Sequence, residues 1–300
     1  MNHVRMRVLF GAIAAAAVGL LGVPAVAAMM APPSIAIVSP AMGTTITGAN
    51  VPVTVSVKNF NLECANMGKT SVPMGEGHIH AMVDGMNMAH LTTVACSDRF
   101  TISTQGLKPG KHVLAVVLAN DPHAMNSLPA MTAFVYQPSS PNPLPNPISG
   151  KPSVSVVSPK NGASVPTKFD LVLAVNNFGL SCDLEGKPNV TGWGHVHVMV
   201  QQEGETSASA ATPMVAMMKT PEGMAMGQKF MQETHMTTAQ LQPMMTMSEP
   251  SLVGMPCTKT IPVDLSSWHS GRANIVVQLA NDDHMPTMGT TPAMLAVNVK

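Results

Sequence analysis

Two short stretches of the chain decide its fold. Residues 75–83 are Gly-Glu-Gly-His-Ile-His-Ala-Met-Val, and residues 192–200 are Gly-Trp-Gly-His-Val-His-Val-Met-Val. In a β-strand, residues two positions apart point to the same face. The alternation therefore predicts one apolar face that packs in a core, and an opposite face that is free to present two histidines and a methionine.

The two stretches belong to a longer internal repeat. Matching segments occur in the same order in both halves of the chain, which indicates a duplicated structural unit. Each copy also carries a later Ala-Asn-Asp-x-His turn. The matched segments are residues 33–40 with 152–159, 53–60 with 171–178, 75–83 with 192–200, and 119–123 with 280–284.

The local pattern predicts an all-β protein. Its apolar runs are short, rich in valine and separated by Gly, Pro and Asn, as in β-sandwiches. We expect two tandem immunoglobulin-like or cupredoxin-like sandwiches, and periodicity does not distinguish these two types. The expected layout is a first sandwich at 32–137, a semi-rigid proline-rich linker at 138–151, and a second sandwich at 152–300 with an insertion at about 202–250 that includes a short helix near 227–235.

The N-terminus has the features of an export signal. Arg5 and Arg7 precede an apolar run from Val8 to Leu21, and small residues follow near Ala27. This pattern is typical of a cleaved secretory signal peptide, here residues 1–27. We therefore expect a periplasmic or secreted protein with no membrane span after cleavage; an uncleaved anchor is the alternative.

The four cysteines predict two disulfides. None lies in a Cys-x-x-Cys pair, so zinc-ribbon and thioredoxin-like sites are excluded. Four cysteines allow three pairings, and the duplication selects the one that pairs equivalent cysteines within each copy. The expected bridges are Cys64–Cys96 and Cys182–Cys257, each worth about 2–4 kcal/mol in an oxidising compartment.

Composition argues against nucleic acid as a partner. Charged residues make up 11% of the chain and the formal net charge is zero. There is no basic run or basic-aromatic patch of the kind that neutralises a phosphate backbone.

The histidine-bearing faces predict a metal site in each copy. Two histidines on a strand and a third in a turn at a strand end could supply three neutral nitrogens, which suit copper or zinc, and nearby thioethers favour Cu(I). An aspartate two residues before the third histidine could orient a ring by accepting its second N–H. The alternative is a structural role, with the histidines exposed or buried against the Asn-Asp turn. The candidates are His78, His80, His123, Met82 and Met125 with Asp121 in the first copy, and His195, His197, His284, Met199 and Met285 with Asp282 in the second.

Methionine is unusually abundant. The chain has 27 methionines but only seven Phe, two Trp and one Tyr, and many methionines lie in the insertion of the second copy. They could be soft metal donors or flexible apolar filler.

The Gly-His-x-His strand followed by an Asn-Asp-x-His turn resembles bacterial periplasmic domains of the GHHHLLID type, here in tandem. The resemblance covers the second half of each copy, and this chain departs from it by its cysteines and by Ile79 or Val196 between the histidines. The role of those domains is poorly defined. The chain is also similar, in composition, to periplasmic copper carriers with cupredoxin-like sandwiches, which implies copper as cofactor and another envelope copper protein as partner.

Three functions follow as hypotheses. The first is an exported, non-enzymatic protein that sequesters or transfers copper. The second is a metal-free structural or adhesive module pair of the cell envelope. The third is a copper-dependent redox enzyme, because copper-zinc superoxide dismutases also place His-x-His on a sandwich strand; here, however, the sequence has no histidine-dense zinc loop between that strand and the final turn.

Overall fold

A computed structural model describes residues 31–69, 75–202 and 251–300, together with the single positions 224 and 228. The expected signal peptide, and most of the expected insertion with its short helix, lie outside the described residues. In the described part of the chain, no helix is long and apolar enough to cross a membrane.

Over the described residues the chain is nearly all β, as predicted, and forms two tandem β-sandwiches. The described residues of the first sandwich contain nine strands: β1 (Ser34–Ser39), β2 (Thr44–Ile46), β3 (Asn50–Lys58), β4 (Asn61–Leu62), β5 (Glu76–Val83), β6 (Leu91–Ala95), β7 (Arg99–Ser103), β8 (Gly110–Ala119) and β9 (Ala130–Tyr136).

In the part of the second sandwich that the structure describes, this order is repeated strand for strand. Its strands are β10 (Ser153–Ser158), β11 (Ser164–Val165), β12 (Lys168–Asn176), β13 (Gly179–Leu180), β14 (Trp193–Gln202), β15 (Leu252–Gly254), β16 (Thr260–Asp264), β17 (Gly271–Ala280) and β18 (Ala293–Val299). Short 3₁₀ turns occur at Met88–His90 and Cys182–Leu184.

Each sandwich has a small sheet and a large sheet. The small sheets have the order β1-β3-β7 and β10-β12-β16. The large sheets have the order β2-β9-β8-β5-β4 and β11-β18-β17-β14-β13, with β6 and β15 paired to the histidine-bearing strands β5 and β14. The histidine strands are therefore interior to their sheets.

The apolar face of each histidine strand lies in a sandwich core. Ile79, Ala81 and Val83 pack with the valines of β3 in the first copy. Val196, Val198 and Val200 pack with Leu171 and Leu173 of β12 in the second. Alternation along the strand thus determines which side chains are left on the outer face.

The disulfides pair as predicted. Cys64 is bonded to Cys96, and Cys182 is bonded to Cys257. Each bridge fixes the segment before a histidine strand to the segment after it, so the position of the strand is restrained from both sides.

The two sandwiches form one compact unit, Pro32–Lys300. Alternation alone suggested that the outer histidine faces are free, but in the structure they are covered. The six histidines are all buried, with His78 and His195 at 0% exposure, because parts of the other sandwich cover them.

Candidate metal centre

Three histidine nitrogens meet in the first sandwich. The Nε2 atoms of His78 and His80 are 3.0 Å apart. The Nδ1 atom of His123 lies 3.2 Å from His78 Nε2 and 3.3 Å from His80 Nε2. The three atoms therefore form a nearly equilateral triangle on one side of β5.

The triangle has the dimensions of a three-histidine metal site. Zinc–nitrogen bonds are about 2.0–2.1 Å long, so tetrahedral coordination places neighbouring nitrogens about 3.3–3.4 Å apart. The separations of 3.0–3.3 Å are close to this value. A small expansion of the triangle would bring the three nitrogens to coordinating separations.

A glycine brings the third histidine near the strand. Gly77 has φ +145°, and a Cβ there would lie 2.2 Å from the carbonyl oxygen of Ala119 at the end of β8. Gly194 repeats this approach, at 2.0 Å from the carbonyl oxygen of Ala280. The second glycine of the Gly-x-Gly-His-x-His motif therefore lets the histidine strand run against the turn that carries the third ligand.

The turn itself is built by asparagine. The Asn120 N–H donates to the backbone oxygen of Ala124, and the Asn120 backbone oxygen accepts from the His123 N–H. The side-chain Oδ1 of Asn120 accepts from the Ala124 N–H at 2.8 Å. His123 has φ 61° and His284 has φ 66°. This left-handed conformation is uncommon for residues other than glycine, although histidine tolerates it better than most, and it aims each ring back at its strand.

The second triad has the same layout. The Nε2 atoms of His195 and His197 are 3.0 Å apart. The His284 ring lies 4.6 Å from the His195 ring and 6.2 Å from the His197 ring, centroid to centroid. The equivalent separation of His80 and His123 is 5.5 Å, so the second triad is the more open of the two.

Burial keeps the ring nitrogens neutral. It lowers the pKa of all six histidines, to about 4 for His123 and for His197. Neighbouring histidines lower the pKa of the strand histidines further. Neutral imidazole is the form that binds metal, so the sites need little deprotonation at neutral pH.

The turn histidines are oriented by backbone carbonyls. His123 donates from Nε2 to the oxygen of Leu252 at 2.9 Å, and His284 donates from Nε2 to the oxygen of Leu91 at 2.7 Å. In a neutral ring this leaves Nδ1 as the lone-pair atom. The Nδ1 atoms of His78, His80 and His195 have no hydrogen-bond partner among the described residues.

The two aspartates do not take the orienting role expected of them. Both oxygens of the buried Asp121 lack a hydrogen-bond partner in the described part of the chain. Asp282 accepts from the Val190 N–H at 3.2 Å. Burial raises the pKa of each carboxyl to about 7. The ring N–H groups of His123 and His284 donate instead to backbone carbonyls of the other sandwich.

The four candidate methionines lie in different surroundings. Met82 and Met125 are fully buried and pack with Leu91 and Val117 in one cluster. Val117 lies opposite His80 on the neighbouring strand, so this cluster adjoins the first triad. Met199 is half-buried. Met285 is 61% exposed. It is not the structural equivalent of Met125, because Met125 pairs with Ala119 whereas Pro286 pairs with Ala280.

Sequence reasoning missed Glu185. Its Oε1 lies 4.0 Å from the Nδ1 of His195, and it is buried. Burial, and then the charges of Asp282 and Asp183, raise its pKa well above the usual range. The equivalent position of the first sandwich is Met67. The sequence did carry a signal for it, because Glu185 is a charged residue close to Cys182 in a chain in which only 11% of residues are charged.

Comparisons with known proteins add little. No family model and no curated protein matches the chain. Among solved structures it is similar to the fibronectin(III)-like modules of Clostridium thermocellum CbhA, at 13% identity over 89% of this chain and 94% of that one, with a TM-score of 0.24. It is also similar to three N-terminal domains of the Hoc capsid protein of bacteriophage RB49, at 12% identity over 90% and 70% of the chains and a TM-score of 0.20. For the four N-terminal Ig domains of Dscam1 isoform 4.44 the identity is 8%, over 90% and 46%, with a TM-score of 0.19.

Proposed function

We propose that this is an exported protein that binds one metal ion at each histidine triad and sequesters or transfers copper. The observation that carries the proposal is the triangle of buried, neutral nitrogens 3.0–3.3 Å apart in the first sandwich. The same three residue types recur in the second sandwich on equivalent elements. Two disulfides support an oxidising compartment and hence export.

Copper is favoured over zinc by the surroundings of the first triad. Met82 and Met125 belong to the buried cluster that adjoins it through Val117, and sulfur donors favour Cu(I). Three neutral imidazoles alone would suit zinc as well. In transfer, the partner would be another copper protein of the envelope.

The test is a chelator-competition titration of the mature protein with Cu(I), Cu(II) and Zn(II). We expect two sites, with Cu(I) bound most tightly. A His80→Ala/His197→Ala variant should bind none of the three ions at either triad, whereas replacement of the exposed His269 by alanine should change nothing. Equal stoichiometry in the wild type and the double variant would remove the triads as the binding sites.

A metal-free structural or adhesive module pair is the second candidate. Two tandem immunoglobulin-like sandwiches suit that role, and each turn histidine already makes a hydrogen bond across the module boundary that requires no metal. The wild type would then show no binding in the titration. The superoxide dismutase-like alternative stays a prediction, tested by assaying the copper-loaded protein for superoxide consumption.

A further inference from the structure

The two triads are linked by a reciprocal exchange between the sandwiches. His123 of the first sandwich donates to the Leu252 oxygen of the second, at 2.9 Å. His284 of the second donates to the Leu91 oxygen of the first, at 2.7 Å. Each carbonyl begins the strand, β6 or β15, that is paired to a histidine strand. Each sandwich therefore orients a ligand of the other.

Two glycines permit this close approach. Gly68 accepts the backbone N–H of Ser251, the residue before Leu252, at 2.9 Å. A Cβ on Gly68 would lie 3.0 Å from backbone atoms of Ser251 and Leu252. In the other direction, a Cβ on Gly186 would lie 2.9 Å from the carbonyl of His90, the residue before Leu91.

The same glycines tie the boundary to the ligand turns. The Gly68 N–H donates to the backbone oxygen of Asp121 at 2.7 Å, and the Gly186 N–H donates to the backbone oxygen of Asp282 at 2.8 Å. Each glycine thus contacts both the turn of its own sandwich and the carbonyl segment of the other. They occur in equivalent positions, four residues after Cys64 and Cys182.

We propose that each sandwich completes the metal site of the other, with Gly68 and Gly186 as positioning residues that set the carbonyls of Leu252 and Leu91 against His123 and His284. The proposal rests on the metal-binding function. A hydrogen bond from the second ring nitrogen fixes the orientation of a ligating histidine and raises its basicity, and its loss typically costs about 10–100-fold in metal affinity. Metal bound at either triad would in turn stabilise contact between the sandwiches.

The test uses the full chain with a His197→Ala substitution, which removes the second triad and leaves only the first intact. Gly68→Ala adds a methyl against Ser251 and Leu252, and its matched control is Gly43→Ala. Gly43 has a similar φ, +79° against +85°, but a Cβ there meets nothing within 4 Å. We expect Gly68→Ala to weaken Cu(I) binding about tenfold or more and Gly43→Ala to leave it within about twofold. Equal affinities in the two variants would overturn the proposal.

The second sandwich gives the mirrored experiment. In a His80→Ala background, Gly186→Ala is compared with Gly162→Ala. The two glycines have similar φ values, +70° and +80°, but a Cβ is crowded at Gly186 and meets nothing within 4 Å at Gly162. We expect the loss only for Gly186→Ala.

A measurement without metal separates this proposal from the function on which it rests. ¹⁵N chemical shifts of the apo protein should show His123 protonated at Nε2 and hydrogen-bonded there, and this signal should change in Gly68→Ala but not in Gly43→Ala. An unchanged signal would refute the positioning role even if metal binds. Failure of the parent chains to bind any metal would instead refute the proposed function.

Discussion

The Nε2 of His123 lies 2.9 Å from the backbone oxygen of Leu252, a residue that is 129 positions away and belongs to the other sandwich. This hydrogen bond leaves Nδ1 of His123 facing the Nε2 atoms of His78 and His80. The geometry of the first triad therefore depends on how the sandwiches meet. His284 and Leu91 show the same dependence for the second triad.

Glu185 should affect only the second site. Burial raises the pKa of Glu185, but a cation held at the second triad would favour the ionised form. A carboxylate close to Nδ1 of a ligating histidine then raises the basicity of the ring. We expect Glu185→Gln to weaken metal binding at the second triad about tenfold and to leave the first triad unchanged, since Met67 stands in the equivalent position there. Competition titration of the variant measures both affinities, and an equal loss at both sites would show a general structural effect instead.

The buried methionines should select the metal. Met82→Leu and Met125→Leu nearly conserve volume and remove only the sulfur, so folding should be retained. We expect the pair of substitutions to reduce Cu(I) affinity at the first triad about tenfold, or ~1.4 kcal/mol, with zinc affinity unchanged. Met285→Leu is the control, because Met285 is 61% exposed. A similar loss for both metals would exclude a thioether role.

Metal should be retained under mild acid. Ordinary histidines compete for protons below about pH 6.5, but burial lowers the pKa of all six ligands, to about 4 for His123 and His197. Protons therefore compete little between pH 7 and pH 5, and metal release should begin only as the pH approaches about 4. Dialysis against a series of buffers measures this. Release centred near pH 6.5 would show that the rings are accessible to solvent.

The metal-free protein should lose stability between pH 7 and pH 5. Below about pH 6.5 the unfolded chain binds protons at histidines that stay neutral in the folded chain, so the free energy of unfolding falls as the pH decreases. The raised pKa values of Asp121 and Asp282, both about 7, and of Glu185 act in the opposite direction. Six imidazoles against three carboxyl groups leave a net loss, which denaturant titrations at pH 7 and pH 5 would measure. Higher stability at pH 5 would contradict this sum.

Sequence determined the parts of this molecule that depend on local pattern. Alternation in residues 75–83 and 192–200 gave the strands and their core faces, and the duplication gave the cysteine pairing. Burial of the histidine faces could not be predicted, because alternation distinguishes two faces but does not indicate what covers the outer one.

The orienting partners were missed for a different physical reason. Every residue has a backbone carbonyl, so the oxygens of Leu91 and Leu252 have no signature in the sequence. Asp121 and Asp282 were plausible partners because carboxylates often take this role. In the structure, backbone carbonyls from the other sandwich accept the ring N–H groups instead. The recurrence of Gly68 and Gly186 four residues after a cysteine was the available sign of a close contact.

X-ray absorption spectroscopy of the copper-loaded wild-type protein tests the central claim most directly, since it requires no substitution. If the triads hold the metal, the spectrum will show about three imidazole nitrogens per copper at about 2.0 Å, with the outer-shell scattering of histidine rings. Copper bound through sulfur alone, without imidazole scattering, would contradict the account and would place the metal on methionines away from the triads.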